Sequence, residues 1–95
     1  MIHQVTIYQI KDTKDVDYAF RSFNSKLFNL DDYRKVYEVK MDDMGNSNTD
    51  MLEDIFTEFN INIPRDFHGH SLSVSDVVYI DNEGFYCGIS SWKRL

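Results

Sequence analysis

Nine consecutive residues near the start of the chain, Ile2 to Ile10, alternate with a period of two and are rich in β-branched and aromatic side chains. This pattern is typical of a strand in a sheet. Tyr33 to Lys40 repeats it and predicts a half-exposed strand. Two shorter strands, VVYI (Val77–Ile80) and FYCGIS, flank a DNEG turn and are predicted to form a hairpin. A continuation of the FYCGIS strand through SWKRL is left as an alternative. In the predicted strand from Tyr33 to Lys40, the residues expected to share one face are Tyr33, Lys35, Tyr37 and Val39.

Two segments between these strands carry apolar residues at helical spacing. The first helix is predicted over Lys14 to about Asn24, capped by Asp12 or Thr13. The second is predicted to begin at a capping Asp50, with Glu53 in a capping-box position. The first apolar face comprises Val16, Ala19, Phe20, Phe23 and Leu27, and the second comprises Met51, Leu52, Ile55, Phe56 and Phe59.

The predicted order of elements is therefore β-α-β-α-β-β. It indicates an α+β fold in which two helices pack on a small mixed or antiparallel sheet of about four strands. Ninety-five residues correspond to one domain, residues 1–95. The composition, 42% hydrophobic and 15% aromatic, excludes a disordered chain. The single cysteine, Cys87, excludes an internal disulfide and is expected to be buried or half-buried.

The net charge of −6 comes from one segment, because Met41 to Pro64 contains six acidic residues and no lysine or arginine. A chain of this balance is a poor nucleic-acid binder, since binding requires basic surface to neutralise phosphates. An acidic surface instead attracts and orients a basic partner protein. We therefore expect a partner-binding acidic face formed by Asp42, Asp43, Asp50, Glu53, Asp54 and Glu58. Asp54 and Glu58 repel each other at helical spacing, which fits a surface kept for a partner rather than for helix stability.

The same sequence predicts a cytoplasmic protein that makes no membrane contact. No segment approaches the roughly 18 consecutive apolar residues of a membrane span. The first ten residues lack the basic and apolar regions of a secretory signal. No phosphate-binding loop is present, and no cofactor is expected. The many aromatic residues leave a homodimer open as a further possibility.

The densest polar stretch is DFHGHSLSVSDVV, from Asp66 to Val78, and three interpretations compete for it. His68 and His70 are weak metal-ligand candidates, because zinc needs at least three protein ligands, here with Asp66 or Asp76. A Ser/His/Asp nucleophile using Ser71, Ser73 or Ser75 lacks a glycine-flanked elbow. The third interpretation, which we favour, is a hydrogen-bonded turn that leads into a strand. Its members are Asp66, Gly69, Ser71, Ser73, Ser75 and Asp76.

The run FNINIPRDFHGHSLSVSDVVYI, preceded by LEDIFTEFN and followed by GFYCGISSW, resembles the YodL-like domain. YAFRSF and DDYRKVYE are similar to its earlier segments, so the resemblance covers nearly all of the chain. The most specific positions are Phe59, Asn60, Pro64, Phe67, Gly69 and Ser71 to Val78. Tyr86 and Trp92 match a motif near the end of the domain. His70, Gly88 and Ser91 stand where the family pattern has Arg, Asp and Gly, so a role of those positions in relatives is not carried over.

Relatives of this domain occur in Firmicutes and in their conjugative elements and phages, and the resemblance implies no enzymatic activity. Together with the acidic window from Met41 to Pro64, this association predicts a small protein that binds and inhibits a bacterial host protein, such as a nucleic-acid-handling defence enzyme in an anti-CRISPR or anti-restriction role. An alternative is a regulator that antagonises actin-like cell-shape machinery. The residues leave a third hypothesis, a small metal-dependent enzyme or metal sensor built on His68 and His70.

Overall fold

A computed structural model describes all 95 residues of the chain, and its main element is a five-stranded sheet. Every strand pairing is antiparallel, and the strand order is β2-β1-β3-β4-β5. The elements in chain order are β1 (Ile2–Ile10), a short 3₁₀ helix (Leu30–Asp32), β2 (Tyr33–Asp42), α1 (Asn48–Ile61), β3 (Val77–Ile80), β4 (Glu83–Cys87) and β5 (Trp92–Arg94). Neither helix has the length and apolar character that a membrane crossing requires.

The strands follow the alternation closely. β1 and β3 have the predicted bounds, and β2 continues two residues beyond Lys40. The returning hairpin strand begins at Glu83, two residues before FYCGIS, so the turn consists of Asp81 and Asn82 and not of all four DNEG residues. It also ends earlier than predicted, because the chain leaves the sheet after Cys87 and re-enters at Trp92 as a separate strand. Period-two patterns therefore located four of the five strands.

A β-bulge changes the predicted facing of residues on β2. The register between β1 and β2 shifts between Ile7 and Tyr8, which leaves Val36 without a partner on β1. Beyond this point Tyr37 pairs with Ile7, and both side chains belong to the face that α1 covers. Because one extra residue reverses the alternation, Tyr33 and Lys35 lie on the opposite face from Tyr37 and Val39. The expectation that these four residues share a face is wrong.

The predicted pair of helices on a four-stranded sheet is also wrong, because only one α-helix forms and the sheet has five strands. The segment predicted as the first helix, Lys14 to about Asn24, consists of successive turns. Phe20 in its middle has a φ of 62°, which no right-handed helix contains. Short polar side chains hold the backbone instead. Asp12 Oδ1 accepts from the Lys14 amide and Asn24 Oδ1 from the Lys26 amide, each at 3.0 Å.

Both faces of the sheet carry a core, and the two cores are covered by different kinds of structure. Helix α1 and the segment after it cover one face, where the buried residues are Val5, Ile7, Met51, Leu52, Ile55, Phe59, Phe67, Leu72, Val78, Ile80 and Phe85. The irregular segment 11–32 covers part of the other face, around a buried group formed by Ile10, Tyr18, Tyr33, Val77 and Tyr86. Aromatic side chains, rather than a second helix, close this second core.

Candidate functional site

The acidic residues of α1 lie on a helix whose N-cap is three residues before the predicted cap, Asp50. Ser47 is the N-cap, and its hydroxyl accepts a hydrogen bond from the Asp50 amide at 3.3 Å. The expectations that Asp50 caps the helix and that Glu53 completes a capping box are therefore wrong. Asp50 lies in the first turn instead, where a negative charge is stabilised by the helix dipole.

The outer face of α1 presents carboxylates that have no cationic partner. Met51, Leu52, Ile55 and Phe59 are buried against the sheet, whereas Asp50, Glu53 and Asp54 are exposed and Glu58 is half-buried. None of these four carboxylates forms a salt bridge within the chain. The helix contains no lysine or arginine. The result is a face of uncompensated negative charge on a well-packed helix.

A shallow cleft of about 130 Å³ adjoins this face, between α1 and the connection from β4 to β5. Glu53 forms one side, and the rings of Phe56 and Trp92 meet edge to face with centroids 6.5 Å apart. Ile89 is 71% exposed at its rim. Partly buried aromatic residues beside charged ones are typical of binding surfaces between proteins. Gly88 and Ser91, two of the family-atypical positions, also line this cleft.

Asp42 and Asp43 line a small pocket together with Asp54 of α1, but unlike the carboxylates of the helix they form hydrogen bonds within the fold. Asp42 Oδ1 accepts from the Met44 amide at 2.9 Å and from the Met1 ammonium at 3.1 Å. Asp43 accepts from the His3 ring at 2.8 Å and from the Gly45 amide at 2.9 Å. The hydrogen bond from His3, followed by that from Gly45, lowers the pKa of Asp43 to about 2. Asp42 and Asp43 thus hold the turn between β2 and α1, and the uncompensated carboxylates are those of α1.

His3 bridges two carboxylates that come from distant parts of the chain. Its Nδ1 lies 2.6 Å from Asp81 and its Nε2 lies 2.8 Å from Asp43. Hydrogen bonding to Asp81, and then to Asp43, raises the pKa of His3 above its ordinary 6.5. The protonated ring therefore links the turn after β2 to the turn between β3 and β4.

This bridge predicts a pH dependence of stability that follows the protonation of His3. A raised pKa in the folded state contributes stability that is full below pH 6.5 and is lost as the pH rises through the raised value. We expect His3→Ala to lower the melting temperature by a few degrees at pH 6 and to flatten its decline above that pH. Thermal unfolding followed by circular dichroism across this range measures it. His68→Ala is the matched control, because His68 is exposed and unbonded, and an identical profile for both variants would contradict the bridge.

The polar stretch after α1 surrounds a buried carboxylate. Asp76 is 2% exposed, and its Oδ2 accepts from the Ser73 amide at 2.9 Å and from the Gln9 side chain at 3.1 Å. Burial raises the pKa of Asp76 to about 6. Gln9 also donates to the His70 carbonyl at 2.8 Å and accepts from the His70 amide at 3.2 Å. Asp76 and Gln9 together anchor the loop to β1.

Other members of the proposed turn motif make separate contacts. The Ser75 hydroxyl accepts from the Phe20 amide at 3.0 Å, and its carbonyl accepts from the Tyr33 hydroxyl at 2.5 Å. Asp66 accepts from the Tyr37 hydroxyl at 2.9 Å. A Cβ on Gly69 would overlap Gln9 Oε1, so the close approach of the loop to β1 requires glycine. Ser71 is exposed, and its carbonyl lies 2.7 Å from His70 Nδ1.

The metal and nucleophile interpretations find no assembled site. No group of three or more His, Cys, Asp and Glu side chains is placed to hold a metal ion. His68 is exposed, and His70 Nε2 lies 3.8 Å from Asp76. No serine hydroxyl is hydrogen-bonded to a histidine, and the Ser73 hydroxyl is buried without a partner. The observed contacts of the stretch are those of a hydrogen-bonded loop.

Gln9 organises this loop and was not among the predicted site residues. The signal was available, because Gln9 occupies an inward position of an apolar alternating strand, and a buried amide needs partners for both its oxygen and its nitrogen. Those partners lie more than 60 residues away in the chain. Their identity could not be read from the sequence around Gln9.

Comparison with known proteins gives one match. The sequence model described as the YodL-like domain matches residues 4–93, from within β1 to within β5. No curated protein and no solved structure matches the chain.

Proposed function

Because this chain belongs to the YodL-like domain family, we propose that it is a non-enzymatic, protein-binding inhibitor of a bacterial host protein. In this proposal a phage or other mobile element carries it, and it acts in the cytoplasm of the host without a cofactor. The observation that carries the proposal is the outer face of α1, where Asp50, Glu53 and Asp54 are exposed and unpaired. No nucleic acid is invoked as a partner, because its phosphates carry negative charge of their own, and the proposal involves no membrane contact.

The charge of this face favours a basic partner. Clustered carboxylates accelerate and orient association with a positively charged surface, and the effect weakens as salt rises. Grooves that bind nucleic acid are basic surfaces of this kind. An acidic helix can occupy such a groove in competition with the nucleic acid. We therefore propose a nucleic-acid-handling defence enzyme, of the restriction or CRISPR class, as the target.

The cleft beside the helix supplies the apolar part of the proposed interface. Long-range charge mainly sets the association rate, whereas residence time depends on desolvated apolar anchors. Trp92 and Phe56 are half-buried next to Glu53, and Ile89 projects into solvent at the rim. In the proposed complex the partner covers this cleft while the carboxylates of α1 meet its basic residues.

A matched pair of triple variants tests the role of the helix face. The test variant carries Asp50→Asn, Glu53→Gln and Asp54→Asn, and the control carries Asp15→Asn, Asp17→Asn and Asp31→Asn. Both remove three exposed negative charges from side chains that make no hydrogen bond within the chain. The partner is first captured from lysate of a Gram-positive host, identified by mass spectrometry and purified. Its Kd is then measured across a salt series.

The test variant is expected to weaken binding at least about tenfold, or 1.4 kcal/mol, and to flatten the salt dependence. The control is expected to bind like the natural chain. In a host with an active restriction or CRISPR system, the natural chain should protect an incoming phage and the test variant should not. Unchanged affinity and salt dependence in the test variant would exclude the α1 face as the interface. Capture of an actin-like filament protein would replace the defence enzyme by cell-shape machinery as the target.

A further inference from the structure

The outer edge of β2 carries no partner strand. β2 is the longest strand of the sheet, with ten residues, and it lies at the end of the strand order. The Asp43 amide donates a hydrogen bond to the Met1 carbonyl at 3.0 Å. This bond shows which residues of β2 direct their backbone N–H and C=O groups toward β1. In an antiparallel ladder the backbone groups of alternate residues point to the same side. The N–H and C=O groups of Val39 and Met41 therefore point to β1, and those of Glu38 and Lys40 point outward.

No hydrogen bond from elsewhere in the chain reaches these outward backbone groups. Natural sheets usually protect such an edge with a bulge or with lysine. Here the bulge at Val36 lies toward the start of the strand, which leaves Tyr37 to Met41 in regular register. Lys40 protects the edge because pairing would bury its charge, unless a carboxylate of the incoming strand lies opposite it. The edge can therefore pair with a strand that places a carboxylate opposite Lys40.

We propose that β2 pairs with β2 of a second copy of this chain, antiparallel and centred on Val39. A two-fold axis at this position places Glu38 opposite Lys40 of the second copy and Lys40 opposite its Glu38. On the other face, Tyr37 of each copy lies opposite Met41 of the other copy. The two Val39 side chains lie opposite each other, between these two Tyr37–Met41 pairs. Opposite charges and apolar pairs directly across a ladder each stabilise it.

Neighbouring symmetric registers are excluded by charge. A two-fold axis at Glu38 places this residue opposite its own copy, and an axis at Lys40 does the same for the lysine. Like charges directly opposite each other destabilise a pairing. The sequence Tyr37-Glu38-Val39-Lys40-Met41 is therefore self-complementary about Val39. The pairing joins two five-stranded sheets into one of ten strands and adds four backbone hydrogen bonds between Glu38 and Lys40 of the two copies.

The dimer also places both α1 helices on the same face of the joined sheet. Glu58 lines a groove with Tyr37 and Val39, so this helix approaches the β2 edge. The two-fold axis perpendicular to the sheet brings the second helix to the same side. A dimer therefore presents two acidic α1 faces on the same side of the joined sheet. They are accessible there to one large partner or to two separate partners.

Reciprocal charge changes test the register. Glu38→Lys places a lysine opposite Lys40 of the second copy, and Lys40→Glu places a glutamate opposite its Glu38. Each variant alone is therefore expected to be monomeric by sedimentation velocity. The double variant restores opposite pairs and is expected to dimerise like the natural chain. An equimolar mixture of the two single variants is expected to form a heterodimer. Asp15→Lys and Lys14→Glu are the matched controls and should leave the natural dimer unchanged.

Cross-linking gives a second, independent readout. In the proposed register two Val39 residues face each other, so Val39→Cys is expected to form an intermolecular disulfide on mild oxidation. Lys40→Cys is not, because the two residues lie about 8 Å apart and bridged Cα atoms are less than about 7 Å apart. Cys87 is buried and is not expected to compete. A natural chain that stays monomeric into the millimolar range would overturn the proposal, as would dimerisation that neither single charge variant reduces.

Discussion

Replacement of Tyr86 by alanine is expected to lower the free energy of unfolding by about 3 to 5 kcal/mol, as for other large aromatic residues removed from a core. Tyr86 is fully buried and joins the sheet to the irregular segment 11–32. Its ring meets Phe23 edge to face at 5.1 Å and Phe28 at 5.8 Å. Its hydroxyl donates to the Arg21 carbonyl at 2.7 Å. Because this segment has no α-helix or strand of its own, its order depends on such contacts.

Urea unfolding measures the stability loss, and hydrogen exchange localises it. Amides of segment 11–32 are expected to exchange faster in Tyr86→Ala than in the natural chain, beyond the change in global stability. Tyr86→Phe is the matched control, since it keeps the ring and removes one hydrogen bond, which costs about 1 kcal/mol. Equal losses for the two variants would show that the hydroxyl, and not the ring, attaches the segment.

Replacement of Asp76 by alanine is expected to cost about 2 to 5 kcal/mol, because it leaves buried donors without an acceptor. Those donors are the Ser73 amide and the Gln9 side chain, at 2.9 and 3.1 Å. The loop that Gln9 and Asp76 anchor leads into β3, which pairs with β1 in the middle of the sheet. Asp76→Asn keeps an acceptor oxygen and is expected to lose less. Urea unfolding separates the two variants, and similar losses would contradict the role of the acceptor.

The same carboxylate predicts a pH dependence of stability on the acid side of neutrality. Burial raises the pKa of Asp76 from 3.8 to about 6, so the folded state holds its proton more tightly than the unfolded state does. The resulting stability is full below about pH 4 and is lost as the pH rises through 6. Asp76→Asn cannot titrate and is expected to remove this change. The effect of His3 begins above its ordinary pKa of 6.5, so the two titrations occupy different pH ranges.

The segment predicted as the first helix forms turns, although its apolar residues have helical spacing. Val16, Ala19 and Phe23 have helical spacing and pack on the second core, whereas Phe20 of the same predicted face is 54% exposed. The spacing of apolar residues gives only an angular pattern and does not show which surface the side chains contact. Tyr86 and Val77 form that surface on the second face of the sheet. Asp12 and Asn24 bond to nearby amides and favour turns over a helix. Local hydrogen bonds and distant aromatic contacts together outweighed a weak helical propensity.

The candidate interface was predicted only in part, for a related reason. Exposure of Asp50, Glu53 and Asp54 follows from their positions opposite the apolar stripe of α1, which the sequence contains in full. Asp42 and Asp43 belong to the same acidic window, but His3, Met44 and Gly45 occupy their oxygens. Charge along a chain is visible in its sequence, whereas the partners that neutralise or bond each charge are assembled only by folding.

Periodicity between neighbouring residues was enough to predict the strands β1 to β4, the helix α1 and its acidic face. The fifth strand, the aromatic second core, the bulge at Val36 and the Gln9–Asp76 anchor arise only from tertiary packing. Each of these depends on residues tens of positions apart. Contacts of that kind are chosen by the free energy of the whole packed chain, in which a buried polar group must find its partner wherever the fold places one.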